Sequence, residues 1–407
     1  MKQTLRVHNL MRSILFGAAV TTAACTFTAC NNEAEDSVAP LEALQISSDN
    51  GAVIPGQYIV VFKQDGNMRL DATATYAERV EAVRQIGAEL LMANGVKDVA
   101  IEQAYGKAVL GVAAKLTDVE VQSLRTDSRV AYVEPDRIVT LAKPGQGGGS
   151  TASTQEVPYG IARVGYASGA GKTAWVIDTG VDLDHPDLNV DRNKSKSFIT
   201  SGKDARNADD GNGHGSHVAG TIAAKNNTTG VLGVAYNATV VAVKVLNSQG
   251  SGAYSGVIAG VDYVAANGKS GDVANMSLGG PVSQALDDAI LNAANKGIKF
   301  ALAAGNESTD ANNSSPARVN HANVYTVSAM DSNDKFAYFS NYGNPPVDYC
   351  APGVSIKSTW MNSGYNTISG TSMASPHVAG LLLLGNITTS GYVTADPDGK
   401  ADPIAHR

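Results

Sequence analysis

Between Thr173 and Leu384 short apolar runs alternate with helix-like stretches, and this alternation limits the possible folds more than any other feature. Thr173–Ile177 (TAWVI), Thr239–Val245 (TVVAVKV), Val273–Leu278 (VANMSL), Lys299–Ala304 (KFALAA) and Val324–Ala329 have strand length and read as buried strands. Val257–Ala266, Ser283–Lys296 and the segments opening at His214 and Gly370 read as helices. Strand–helix repetition predicts a mostly parallel sheet covered on both faces, an α/β fold. Functional groups in such sheets collect at the carboxyl ends of the strands. Asp178, Asn306 and the loop before Ser372 fall at such places.

Three glycine-flanked turns carry the chemistry: Asp178-Thr179-Gly180, His214-Gly215-Ser216-His217 and Gly370-Thr371-Ser372-Met373-Ala374. A serine nucleophile needs a base, and the base needs an orienting carboxylate. Ser372 opens a helix, whose positive end favours developing negative charge. Singly, an Asp-Thr-Gly is a turn and a serine before a helix is a cap. Together they point to nucleophilic catalysis. Glycines in Gly250–Gly252 and Ser277–Gly280 leave strand edges open, so a peptide can add between them. His217 and His377 share helices with His214 and Ser372 and read as packed groups. Asp182, Asp184, Asp187, Asp209 and Asp210 read as a solvated acidic stretch. A formal charge of −7 disfavours a polybasic nucleic-acid binder.

Residues 1–30 read as an export signal. Lys2, Arg6 and Arg12 precede the apolar run Ser13–Ala24, which is too short to span a bilayer. The small residues before Cys30 resemble a bacterial lipobox, with Phe27 departing from the usual aliphatic residue. Ordinary signal cleavage nearby is the alternative, and Cys25 is the lesser lipid site. With three cysteines at most one disulfide forms. Once the early two are removed or lipidated, Cys350 is a lone buried thiol.

Residues 53–140 form a second unit. Gln57–Lys63, Lys107–Lys115 and Arg129–Val133 read as strands, and Tyr76–Leu91 and Asp118–Arg125 as helices, in the order β-α-β-α-β. Thr117 and Glu120 have capping-box spacing. Residues 141–155 form a Gly/Ser/Thr-rich flexible linker ahead of the large domain at 156–407. Residues 386–407 suggest no further domain.

The three turns resemble the signatures of subtilisin-like serine proteases, nearest the proteinase K-like branch. Support comes from Val243-Lys244-Val245-Leu246, Asn275-Met276-Ser277-Leu278-Gly279-Gly280, Ala303-Ala304-Gly305-Asn306, Phe339-Ser340-Asn341-Tyr342-Gly343 and Ala351-Pro352-Gly353. Ser216 stands where threonine is usual. The resemblance implies Ser372 as nucleophile, His214 as general base then acid, and Asp178 as its orienting partner. Asn306 and the Ser372 amide are implied as oxyanion donors. Substrate would contact Ser251 and Gly252, with a specificity pocket between Ser277, Leu278, Gly279, Gly280 and Ala303, Ala304, Gly305. These linings are small and uncharged, which predicts apolar or aromatic preference, and Tyr254 shapes a more distal pocket. The chemistry needs no cofactor. A structural Ca²⁺ is implied at Asp348 with the carbonyls of Ala322 and Val324. The unit at 53–140 resembles an inhibitor propeptide that aids folding, lays Tyr132–Thr140 in the active site, and is cut off within the linker.

The implied protein is a monomeric, exported, self-processing endopeptidase acting on polypeptides, with its own propeptide as partner. Any membrane contact would come from a lipid on the precursor. An esterase is disfavoured because the serine turn is not Gly-x-Ser-x-Gly and the order is not Ser, Asp, His. A catalytically silent binding protein and a limited-specificity processing protease are the remaining alternatives.

Overall fold

The computed structural model describes residues 49–64, 70–71, 73–141, 150–151 and 154–407. The expected signal segment, with Cys25 and Cys30, lies outside the described residues.

The large domain is built on one twisted sheet. Across it the main strands run Thr388–Tyr392, Pro403–His406, Val347–Pro352, Val324–Met330, Lys299–Ala303, Val273–Met276, Thr173–Asp178 and Thr239–Lys244. All these neighbours pair in parallel except the first two. Alternate side chains enter opposite cores. Trp175, Ile177, Val241 and Val243 pack with the helices Tyr254–Asn267 and Gln284–Ala294. Ala174, Val176, Val240 and Ala242 pack with His214–Ala223 and Thr371–Leu384. The result is the expected three-layer α/β arrangement. After Thr173–Asp178 the chain adds Thr239–Lys244 on one side and Val273–Met276 on the other. The order therefore reverses at Asp178, where such sheets open a crevice.

Residues 386–407 have a structural place that their sequence did not announce. Thr388–Tyr392 and Pro403–His406 form an antiparallel pair, and Ile404 aligns with Cys350 on the sheet edge. Cys350 is buried and free, as expected.

The smaller unit has its own core, including Val60, Phe62, Val83, Leu90, Leu91, Val112 and Leu124. Thr117 forms the expected capping box, and Thr75 with Glu78 forms another. The expected order needs correction. Lys107–Lys115 is not one strand: Ile101–Gly106 and Leu110–Lys115 form an antiparallel hairpin, giving β-α-β-β-α-β. The turn between them is fixed from outside the unit. The amides of Gly106, Lys107 and Ala108 donate to Asp262 of the large domain at 2.9, 2.7 and 2.5 Å. No local pattern encodes that partner.

Two carboxylates of the strand Val130–Thr140 meet helix starts in the large domain, where unpaired amides favour anions. Glu134 accepts from Ser283 Oγ (2.5 Å) and Gln284 N (3.0 Å). Asp136 accepts from Ser255 N at 3.1 Å. Burial raises the pKa of both carboxylates. The linker is partly docked, since Ser150 exchanges hydrogen bonds with Tyr365 at 2.9 and 3.1 Å. Its residues 142–149 and 152–153 lie outside the described residues.

Candidate active site

Asp178 ends its strand and is fully buried. Its Oδ1 accepts from His214 Nδ1 at 2.8 Å and from the Thr179 amide at 2.7 Å. His214 begins the helix His214–Ala223. That helix start meets the Asp178 turn closely enough that a Cβ at Gly215 would lie 2.0 Å from the Gly180 carbonyl oxygen. Glycine is required there.

Asp210, unnoticed in sequence except as part of an acidic run, ties the two turns together. It accepts from Thr179 Oγ1 (3.0 Å), from the amides of Asn212, Gly213 and Ser216 (2.9 Å each), and from Ser216 Oγ (2.7 Å). The reading of that run as solvated is therefore wrong for Asp182, Asp187 and Asp210, which are buried. Their turn amides replace water as donors. Ser216, the departure from threonine, uses its hydroxyl fully: it also accepts from Asp182 N at 2.8 Å.

Ser372 lies in the first turn of the helix Thr371–Leu384. Its hydroxyl donates to the Ser277 carbonyl at 3.1 Å. No hydrogen bond joins Ser372 to His214 among the described residues. Asn306 Oδ1 accepts from Thr371 N (2.9 Å) and Thr371 Oγ1 (3.0 Å), which fixes the carboxamide and leaves Nδ2 as a donor. A Cβ at Gly370, whose φ is +153°, would lie 3.7 Å from Ser372 N and 3.8 Å from Asn306 Nδ2. The Ser372 amide and both ends of the Asn306 carboxamide thus lie within 4 Å of the space that the glycine leaves empty. Thr371, missed in sequence, is the residue that aims Asn306.

One pocket of about 390 Å³ collects Ser277, Leu278, Gly279, Gly280, Ala303, Ala304, Gly305, Asn306 and Ser372. Ser251 and Gly252 do not line it. They form the strand edge Ser251–Ala253, on which Ile138–Thr140 pairs antiparallel: Thr140 opposite Ser251, Val139 opposite Gly252. The tail of the small unit thus occupies the edge where a peptide was expected to add. Tyr254 is buried and donates to the Pro281 carbonyl at 2.7 Å. The lining is not wholly uncharged as expected. Glu307 also borders the pocket, its carboxylate held by Asn341 Nδ2 at 2.7 Å.

His217 and His377 are buried, as expected. Nε2 of His217 meets the Ile356 carbonyl at 2.8 Å, and Nδ1 of His377 meets the Met373 carbonyl at 2.8 Å. Burial drives their pKa values down to about 3 and about 4, so both are neutral packing groups at ordinary pH.

At the expected cation position, two of the three expected ligand residues already accept hydrogen bonds from the protein. Asp348 accepts from Thr326 N at 2.9 Å, and the Ala322 carbonyl already accepts from the Tyr325 hydroxyl at 3.1 Å. A richer set surrounds Gln155. The carbonyls of Lys225 and Val231 and the Asn227 Oδ1 lie 2.7, 3.3 and 3.5 Å from Gln155 Nε2. Asp187 lies alongside, bonded to Asn227 Nδ2 (2.7 Å) and Val231 N (3.0 Å). Gln155 Oε1 accepts from Asn227 N at 3.3 Å, so turning the carboxamide end for end would add this oxygen to the set and give up that bond.

Residues 169–385 match the subtilase family, and residues 57–142 match the peptidase inhibitor I9 family. The chain is 40% identical to the alkaline serine exoprotease A of Vibrio alginolyticus, over 84% of this chain and 63% of that protein. It is 40% identical to an extracellular serine proteinase of Thermus sp. (strain Rt41A), over 90% of this chain and 88% of that protein. Proteinase R of Parengyodontium album is 39% identical, over 72% of this chain and 77% of that protein. A solved structure of a cold-adapted subtilisin-like serine proteinase matches with a TM-score of 0.54 and 41% identity, covering 61% of this chain and 97% of the other. The chain belongs to the subtilase family of serine proteases and carries an inhibitor I9 propeptide ahead of its peptidase domain.

Proposed function

We propose that the chain is the precursor of an exported serine endopeptidase that cuts off its own propeptide. The reading is carried by Ser372 and Asn306 lining the pocket beside which the chain's own strand ends, with the hydrogen-bonded Asp178–His214 pair at the start of a helix that packs in the same core as the Ser372 helix.

The mechanism follows from the atoms present. The Ser372 hydroxyl swings from the Ser277 carbonyl to His214 Nε2, gives up its proton there, and attacks the peptide carbonyl carbon. Asp178 holds the Nδ1–H of His214 and stabilises its cation. The new oxyanion enters the space between Asn306 Nδ2 and Ser372 N. His214 then protonates the leaving amine. Water, activated by the same histidine, hydrolyses the acyl-enzyme. The propeptide spans 53–140 and the peptidase domain 156–407, with cleavage in the linker between them. A lipid on Cys30 would then stay with the propeptide while the protease is released as a monomer.

Substrate strands would pair with Ser251–Ala253 much as the tail does. The pocket body is apolar, with Glu307 at its border. A peptide-library profile should therefore show leucine and aromatic residues first at the position before the scissile bond, and lysine above aspartate or glutamate. Dominant cleavage after arginine or lysine would overturn the apolar assignment. Cleavage confined to one sequence would favour the limited-specificity alternative.

Calcium, when bound, would lock loops rather than take part in the chemistry. Gln155, Asp187, Asn227 and the carbonyls of Lys225 and Val231 would hold it, with Asp348, Ala322 and Val324 as a second place. Ligand linkage then adds about 4 kcal/mol at a thousandfold excess of calcium over Kd. Calorimetry should show a lower Tm for the processed enzyme in chelator than in calcium. Equal Tm values would remove the metal from the account.

A further inference from the structure

The segment just before the propeptide's first strand reaches the active-site pocket, and it lies outside the 57–142 match to the inhibitor family. Gly51 N donates to the Ile138 carbonyl and Ile138 N to the Ala52 carbonyl, each at 2.8 Å. Arg137 Nη1 donates to the Gly51 carbonyl at 2.8 Å. Residues 51–52 therefore run along one edge of the tail, while Ser251–Ala253 takes the other. Asn50 then bridges the tail to the opposite wall of the cleft. Its Oδ1 accepts from Thr140 N at 3.0 Å, and its Nδ2 donates to the Gly279 carbonyl at 3.3 Å.

A peptide strand lying between the two walls would place its own amide against the Gly279 carbonyl. Here a carboxamide fills that gap, so at Thr140 the tail is bonded to this wall through a side chain. The spacer is one side chain thick. It holds the tail's main chain back from the Ser277–Gly280 wall, on whose first carbonyl the Ser372 hydroxyl rests. The segment is pressed in place by its neighbour: Gly51 has φ +83°, and a Cβ there would lie 2.3 Å from Pro281 Cγ.

We propose that Asp49–Ala52 is a second inhibitory element, in which Asn50 occupies the main-chain recognition point at Gly279 and slows self-processing. This rests on the self-processing reading above. The step it delays is the acyl transfer already described.

The test follows the purified full-length precursor at high dilution and measures the first-order rate of propeptide release by gel and mass spectrometry. Asn50→Ala removes two hydrogen bonds and should speed release by about thirtyfold, which corresponds to about 1 kcal/mol per bond. Gly51→Ala displaces the segment by a separate route and should act in the same direction. It also keeps the test decisive if the Asn50 variant does not fold. Thermal melting in a Ser372→Ala background checks that each variant is folded. A folded variant that releases its propeptide at the wild-type rate or more slowly overturns the inhibitory role. If instead the Ser372→Ala precursor itself splits at the wild-type rate, self-processing by Ser372 has failed, whatever Asn50 does.

Discussion

Replacing Ser372 by alanine should leave the precursor whole and reduce peptide hydrolysis by about 10⁶-fold, a figure borrowed from removal of the same nucleophile in subtilisin. The argument rests on what the hydroxyl does in the structure. Among the described residues it makes one hydrogen bond, to the Ser277 carbonyl. Losing that bond changes stability by about 1 kcal/mol. The helix Thr371–Leu384 keeps its start, and Asn306 keeps both bonds from Thr371. An inactive variant with a nearly unchanged Tm separates chemistry from folding. A variant that retains a tenth of the hydrolysis rate would remove Ser372 from the mechanism.

Asp178→Asn should be nearly as damaging, with kcat falling by about 10⁴-fold, by analogy with the corresponding change in a trypsin-like protease. The carboxylate is buried, and its Oδ1 receives both His214 Nδ1 and the Thr179 amide. An amide of the same shape still fits. It lacks the charge that supports the His214 cation, and its NH₂ can bind Nδ1 and force the proton onto Nε2. In that tautomer His214 cannot accept the serine proton. The expected signature is a large fall in kcat with little change in KM, measured on a fluorogenic peptide. A loss below tenfold would mean that His214 works without Asp178.

Much of this was legible in the chain because the catalytic turns are short and local. Strand, turn and helix start sit within a few residues at Asp178, His214 and Ser372, so their chemistry is written in neighbouring letters. The contacts that aim these groups are not local. Thr371 reaches Asn306 across 65 positions, and Asp210 reaches Thr179 across 31. A carboxylate in an acidic run gives no sign of which amides it will meet. The hairpin at residues 101–115 is hidden in the sequence for the same reason, since Asp262, some 155 positions away, fixes its turn. Residues 386–407 were obscure because an edge strand need only pair on one side, which weakens its apolar pattern. Glu307 lies outside the glycine and alanine runs that mark the pocket in sequence, one residue beyond Asn306.

The central claim is that Ser372 is a nucleophile activated by the His214–Asp178 pair. Its most direct test is labelling with a small serine-directed organophosphorus reagent, followed by peptide mass mapping of the processed enzyme. The account predicts one added phosphoryl group, on the peptide containing Ser372, with parallel loss of hydrolysis and no label in Asp178→Asn over the same period. Full inactivation with the label on another residue, or undiminished hydrolysis with Ser372 fully labelled, would contradict it.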